Sequence, residues 1–111
     1  MLLKAGAEAG ARDTYGTTPL HLACRHSRTG VSKLLLDKGT DVNVQNMAGS
    51  TPLHEAAMIG DWPLVRVLLA RGANPNTTNR RKLTPLDVAN AHHRVDVVNV
   101  LRNEQPVAKN Q

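Results

Sequence analysis

Thr51-Pro52-Leu53-His54-Glu55-Ala56-Ala57 decides how the rest of the chain is read, because it occurs again on either side. Thr18-Pro19-Leu20-His21-Leu22-Ala23-Cys24 lies 33 residues before it, and Thr84-Pro85-Leu86-Asp87-Val88-Ala89-Asn90 lies 33 residues after it. Three copies at one spacing mark an internal repeat before any side-chain chemistry is weighed. Other positions keep the same register: Gly6, Gly39 and Gly72; Leu2, Leu35, Leu68 and Leu101; Leu3, Leu36 and Leu69; Asn43 and Asn76. Gly16 aligns with Gly49, but Lys82 takes that place in the third copy.

Motif and period together resemble the ankyrin repeat, whose signature is T-P-L-H-x-A at about 33 residues. The resemblance covers roughly Met1 to Asn103. It implies an all-α solenoid of stacked helix pairs with projecting β-turn or hairpin fingers, acting in protein–protein interaction as a scaffold or adaptor and not as an enzyme. In this register the repeat domain spans 1–103, with a partial repeat at 1–6 and repeats at 7–39, 40–72 and 73–103. Residues 104–111 contain a proline and no periodicity and read as a disordered tail. Met1 to Ala5 matches the end of an outer helix without its inner partner, so the chain is either a piece of a longer array or begins on a stub. Leu2 and Leu3 then lack cover and are expected to fray or to pack on another chain.

Local chemistry supports the helix positions. Thr18, Thr51 and Thr84 are good N-caps, and Pro19, Pro52 and Pro85 fall at the first helical position, where the missing N–H costs nothing. Ala23, Ala56 and Ala89 are small enough for neighbouring helices to approach closely. The outer helices are expected at Val31 to Lys38, Leu64 to Arg71 and Val95 to Asn103. Their buried stripes are Val31, Leu34 and Leu35; Leu64, Val67 and Leu68; and Val97, Val100 and Leu101. Asp61 can cap the second outer helix, with Pro63 in its first turn. Between inner and outer helices stand Ser27, Gly60 and His93, and the family favours glycine there.

Composition narrows the function classes. Hydrophobic residues make up 41% of the 111, too many for a disordered chain. With one Trp, one Tyr and no Phe, the core must be built from Leu, Val, Ala and Met. A single cysteine, Cys24, cannot form an internal disulfide, which points to an intracellular setting, cytoplasm or nucleus. No apolar run is long enough for a membrane helix. The net charge of +5 fits a partner with an acidic surface.

No residue pattern carries catalysis. His21 and His54 recur by register and not beside a nucleophile; the resemblance implies that they buttress the turn through backbone and the motif threonine. Asp87, which replaces them in the third copy, can still accept from local backbone donors. His21, Cys24 and His26 do not have the paired four-ligand spacing of a structural zinc site. The glycines match no phosphate loop, and no Ser or Cys sits in a nucleophile elbow. No cofactor is expected.

Binding is therefore read from positions that change character between copies. In the fingers these include Thr14, Met47 and Arg80; Tyr15, Ala48 and Arg81; and Lys82 at the third tip. On the inner helices they include Glu55; Arg25 and Met58; and His26, Ile59 and His92. In similar proteins such positions line a concave groove for a protein partner, and apolar Met47, Met58 and Ile59 fit contact. The alternative is a basic module in which Arg80, Arg81 and Lys82 attract acidic surfaces or nucleic acid. Nucleic acid fits less well, since stacking platforms are scarce. A monomer without membrane contact is expected, unless the truncated N-terminal face self-associates.

Overall fold

The computed structural model describes residues 11–103. The expected stub at 1–6, with Leu2 and Leu3, and the expected tail at 104–111 lie outside the described residues. Six α-helices and no strands occur among the described residues. They are α1 (Pro19–Arg25), α2 (Thr29–Asp37), α3 (Pro52–Ile59), α4 (Trp62–Ala70), α5 (Pro85–Ala91) and α6 (Val95–Asn103). None is long and apolar enough to cross a membrane.

Each inner helix starts through the repeated threonine. The Thr18, Thr51 and Thr84 hydroxyls accept from the backbone N–H three residues on, and proline occupies the first turn. The side chain at that third position returns the bond: His21 and His54 accept the threonine N–H on Nδ1, and Asp87 accepts it on Oδ2 at 3.0 Å. Two orphan donors are thus satisfied at every start, which matters for helices of 7–8 residues that would not persist alone.

The helices stack as two rows. Inner α1 packs on α3, and α3 on α5; each also packs on its own outer helix, and α4 packs on α6. Leu20, Leu53, Leu35, Leu68 and Leu101 fill the space between rows, and Ala56 and Ala89 are fully buried where the inner helices approach. Two outer helices begin earlier than the periodicity indicates, at Thr29 and Trp62, and end one residue sooner. Asp61 caps α4 by accepting from Leu64 N–H at 3.2 Å, so Trp62 and Pro63 already belong to its first turn. α6 spans the expected Val95–Asn103.

One stripe residue falls elsewhere than expected. Leu34 is 46% exposed, whereas Ser32 is fully buried and donates to Arg28 O at 2.9 Å. The position of Leu34 is the margin of the stripe: its register partners Val67 and Val100 are only half-buried. Ser32 sits 3.8 Å from the Cys24 thiol, and both side chains are fully buried. One repeat later the same two positions hold Ala57 and Val65. Burial pushes the Cys24 thiol up to about 12, so it behaves as a core group and not as a nucleophile or ligand.

The three fingers share one turn. Asp13, Asn46 and Asn79 each accept two backbone N–H groups on Oδ1, from Tyr15 and Thr17, from Ala48 and Ser50, and from Arg81 and Leu83. Each finger also bonds to the next: Met47 N–H donates to Tyr15 O and Arg80 N–H to Ala48 O, both at 2.9 Å. The tip residue that follows has positive φ in all three, +73° at Gly16, +76° at Gly49 and +66° at Lys82. Lys82 therefore bears the left-handed strain that glycine avoids, roughly 1–2 kcal/mol for an L residue. Ser27 and His93 bear the same kind of strain at the helix junctions, with φ of +57° and +58°, where Gly60 has +90°. Since glycine loses about 0.5–1 kcal/mol to chain entropy, Lys82→Gly should raise the unfolding free energy by no more than about 1 kcal/mol. A urea titration checks this, and an unchanged or lowered midpoint would show that the Lys82 side chain holds the turn.

Candidate partner-binding groove

The inner helices and the second and third fingers enclose an open groove of about 380 Å³. Its floor is made by Met58, Val88 and Ala91 from α3 and α5, and its walls include Asn46 and Ala48 on one finger and Asn79, Arg81 and Leu83 on the next. Arg25 and Glu55 close the α1 side, and His92 the α5 side. The sequence places these groups together because positions 25, 58 and 91 are one repeat apart, so stacking the inner helices lines them up.

Six of the expected partner-facing residues meet here: Arg25, Ala48, Glu55, Met58, Arg81 and His92. Thr14, Tyr15, Met47, Arg80 and Lys82 stand on the fingertips, with Tyr15 71% and Met47 57% exposed. His26 and Ile59 lie apart from the groove. His26 lines a hollow with Pro19, Leu22 and Arg28, and Ile59 lines a cleft with Gly60, His93 and Arg94. On α3 the separation follows from adjacency, since consecutive helical residues point in different directions; register alone does not decide it, because His92, in register with His26 and Ile59, does line the groove.

Glu55 is the least accessible of the set, at 5% exposure. Its carboxylate accepts from Arg25 Nε at 3.1 Å and Nη2 at 3.3 Å, a two-pronged pairing, and from Ser50 Oγ at 3.1 Å. The hydrogen bond to Glu55 also raises the Arg25 pKa. Glu55 thus joins α3 to α1 and holds the guanidinium of Arg25 at the groove rim.

The histidines behind the groove are structural. His21 Nε2 reaches Ser50 O of the next repeat at 2.7 Å, and His54 Nε2 reaches Leu83 O at 2.8 Å. A carbonyl only accepts, so Nε2 carries the proton. The Thr18 and Thr51 N–H groups only donate, so Nδ1 is bare. Both rings are therefore neutral, and burial lowers both pKa values against the opposing pull of the carbonyl and of the Glu55 charge. No ring nitrogen of His21 or His54 is left for a metal or a substrate.

The part that Asp13, Asn46 and Asn79 play in shaping the fingers escaped the sequence reading, which placed Asp13 and Asn46 at the finger tips without a role. Their signal was available: short side chains able to accept from the backbone, spaced by 33. The ladder linking Arg12 Nη1 to Gln45 O, and Gln45 Nε2 to Thr78 O, carries the same spacing.

Comparison with known families agrees with this architecture. A family model described as ankyrin repeats in three copies matches residues 33–110, and another, described as ankyrin repeats in many copies, matches residues 2–56. A search of curated proteins finds no match. With the threonine-capped inner helices, the histidine bridges and the stacked fingers all in register with those matches, the chain belongs to the ankyrin-repeat family.

Proposed function

We propose that the chain is a scaffold or adaptor module that holds a protein partner in the groove between its inner helices and its second and third fingers. Ankyrin repeats are in general protein–protein interaction modules and are typically non-catalytic. The observation that supports this site most is its chemistry: a half-exposed apolar floor at Met58 sits inside a rim of Arg25, Arg81 and His92. An apolar centre that loses water inside a polar rim is the usual anatomy of a protein interface. The fingertips at Thr14, Tyr15, Met47, Arg80 and Lys82 extend the same side. A lone buried thiol is in keeping with an intracellular setting.

Site-specific crosslinking tests the reading. A photoreactive phenylalanine in place of Ala48 faces the groove, and one in place of Leu34 faces away on α2. Ala48 should capture a protein of defined size from cell extract, and Leu34 should not. Equal capture from both, or capture from Leu34 alone, would move the interface off the groove.

A further inference from the structure

The third finger differs from the first two in what can lie against it. Finger stacking brings backbones close: a Cβ at Gly49 would stand 2.9 Å from Arg80 N and 3.0 Å from Asn79 Cα. On the third finger that position is Lys82, with the same left-handed φ. By register, its Cβ points to the side that the next finger occupies at Gly49, so that side of the third finger carries a charged side chain where the earlier fingers have none.

The rest of the tip is charged too. Arg80, Arg81 and Lys82 are all exposed. Residues 73–103 hold five arginines and lysines against two aspartates, neither of them before Asp87. The carboxylate of the groove, Glu55, is committed to Arg25 and Ser50 and leaves Arg81 unneutralised. The tip amides are committed too: Arg80 N–H to Ala48 O, Arg81 N–H to Asn79 Oδ1 and Lys82 N–H to Asn79 O. An anion here is met by side chains, not by a backbone nest. Arg81 reaches both this charged tip and the groove that holds Met58 and Val88.

We propose that the third finger and the adjoining groove wall dock an extended acidic protein segment. Its carboxylates meet Arg80, Arg81 and Lys82, and an apolar side chain beside them enters the groove over Met58 and Val88. The proposal rests on the groove being the partner surface and adds the chemistry of the partner. A guanidinium is suited to two-pronged pairing with a carboxylate, and solvated rim charges chiefly steer association. A nucleic acid would call for stacking aromatics, and Tyr15 and Trp62 stand on the first finger and on α4.

The test uses the full chain and three labelled probes, followed by fluorescence anisotropy. They are a short peptide of Glu and Asp around a central Leu, the same peptide with Gln and Asn, and a single-stranded oligonucleotide of equal charge. The acidic peptide should bind at least about tenfold more tightly than its amide counterpart, a difference worth one decade in Kd. Arg81→Gln should weaken it by about tenfold, while Lys33→Gln, an exposed charge on α2, should not. Equal binding of both peptides, equal loss in both variants, or tighter binding of the oligonucleotide overturns the proposal. Met58→Ala separates the two readings. If Arg81→Gln abolishes binding and Met58→Ala leaves it intact, the finger holds the segment and the groove reading fails. If Met58→Ala abolishes binding and Arg81→Gln leaves it intact, the groove stands and the acidic segment does not.

Discussion

His54→Ala is expected to cost about 3–4 kcal/mol, because it leaves the buried Thr51 N–H without a partner, takes from the Leu83 carbonyl one of its two donors (Asn79 N–H remains, at 2.9 Å) and opens a void between repeats. The ring is only 2% exposed and makes bonds on both nitrogens, one within its own repeat and one to the next. A chain of this kind has roughly 5–10 kcal/mol in all, so the variant should sit near its threshold. Its urea midpoint should fall by about 2 M, given slopes of 1–3 kcal/mol per molar. His54→Asn separates the two roles, since its oxygen can still accept from Thr51 N–H but cannot reach Leu83 O. It should recover about half of the loss. Equal losses in the two variants would assign the whole effect to the bridge between repeats.

The same rings set an acid limit. Burial lowers the folded pKa of His21 and His54 below the unfolded value of about 6.5, so the unfolded chain binds more protons between the two values. The stability that they confer is fully present above pH 6.5 and is lost as pH falls through the folded pKa. Protonation would place a hydrogen on Nδ1 against the threonine N–H, which can only donate. Unfolding midpoints between pH 7 and 5 should fall less in His54→Asn than in the parent, which has one more ring to protonate.

Gly49→Ala should be the most damaging finger substitution, at about 2–4 kcal/mol: left-handed strain plus the broken contact with the next finger. The added Cβ would meet Asn79 Cα and C at 3.0 and 3.1 Å, and these are backbone atoms that cannot rotate away. Gly16→Ala is the internal control. Its φ is almost the same, but the nearest atom is Met47 N at 3.3 Å. It should cost mainly the strain, about 1–2 kcal/mol. Similar losses in thermal unfolding for the two variants would remove close approach from the account.

Much of this was legible in the sequence. Threonine, proline and the third-position acceptor define each inner helix by local chemistry alone, and all three starts fall where the motif puts them. That His54 bonds to the motif threonine and to backbone was expected from the resemblance; that the backbone group is Leu83 O, 29 residues on, was not legible, because a carbonyl carries no residue signature. Leu34 was misplaced because periodicity marks a stripe but not its margin. Ile59 was grouped with Met58 because both vary between copies, and variation does not tell which way a side chain points. Lys82 was visible as a break in the glycine register; what the glycine is for appears only when the next finger is seen against Gly49.

The Cys24 and Ser32 pair, with Ala57 and Val65 in the same places one repeat on, makes the repeats unequal as exchangeable parts. In one the larger side chain comes from the inner helix and the smaller from the outer; in the other the sizes are reversed. Neither site can drift alone without leaving a hole or a clash, whereas the two can drift together. The coupling holds only while both places are inside: in the third copy they are Asn90, which is exposed, and Val98, and there the inner residue differs from Ala57 while the outer valine stays.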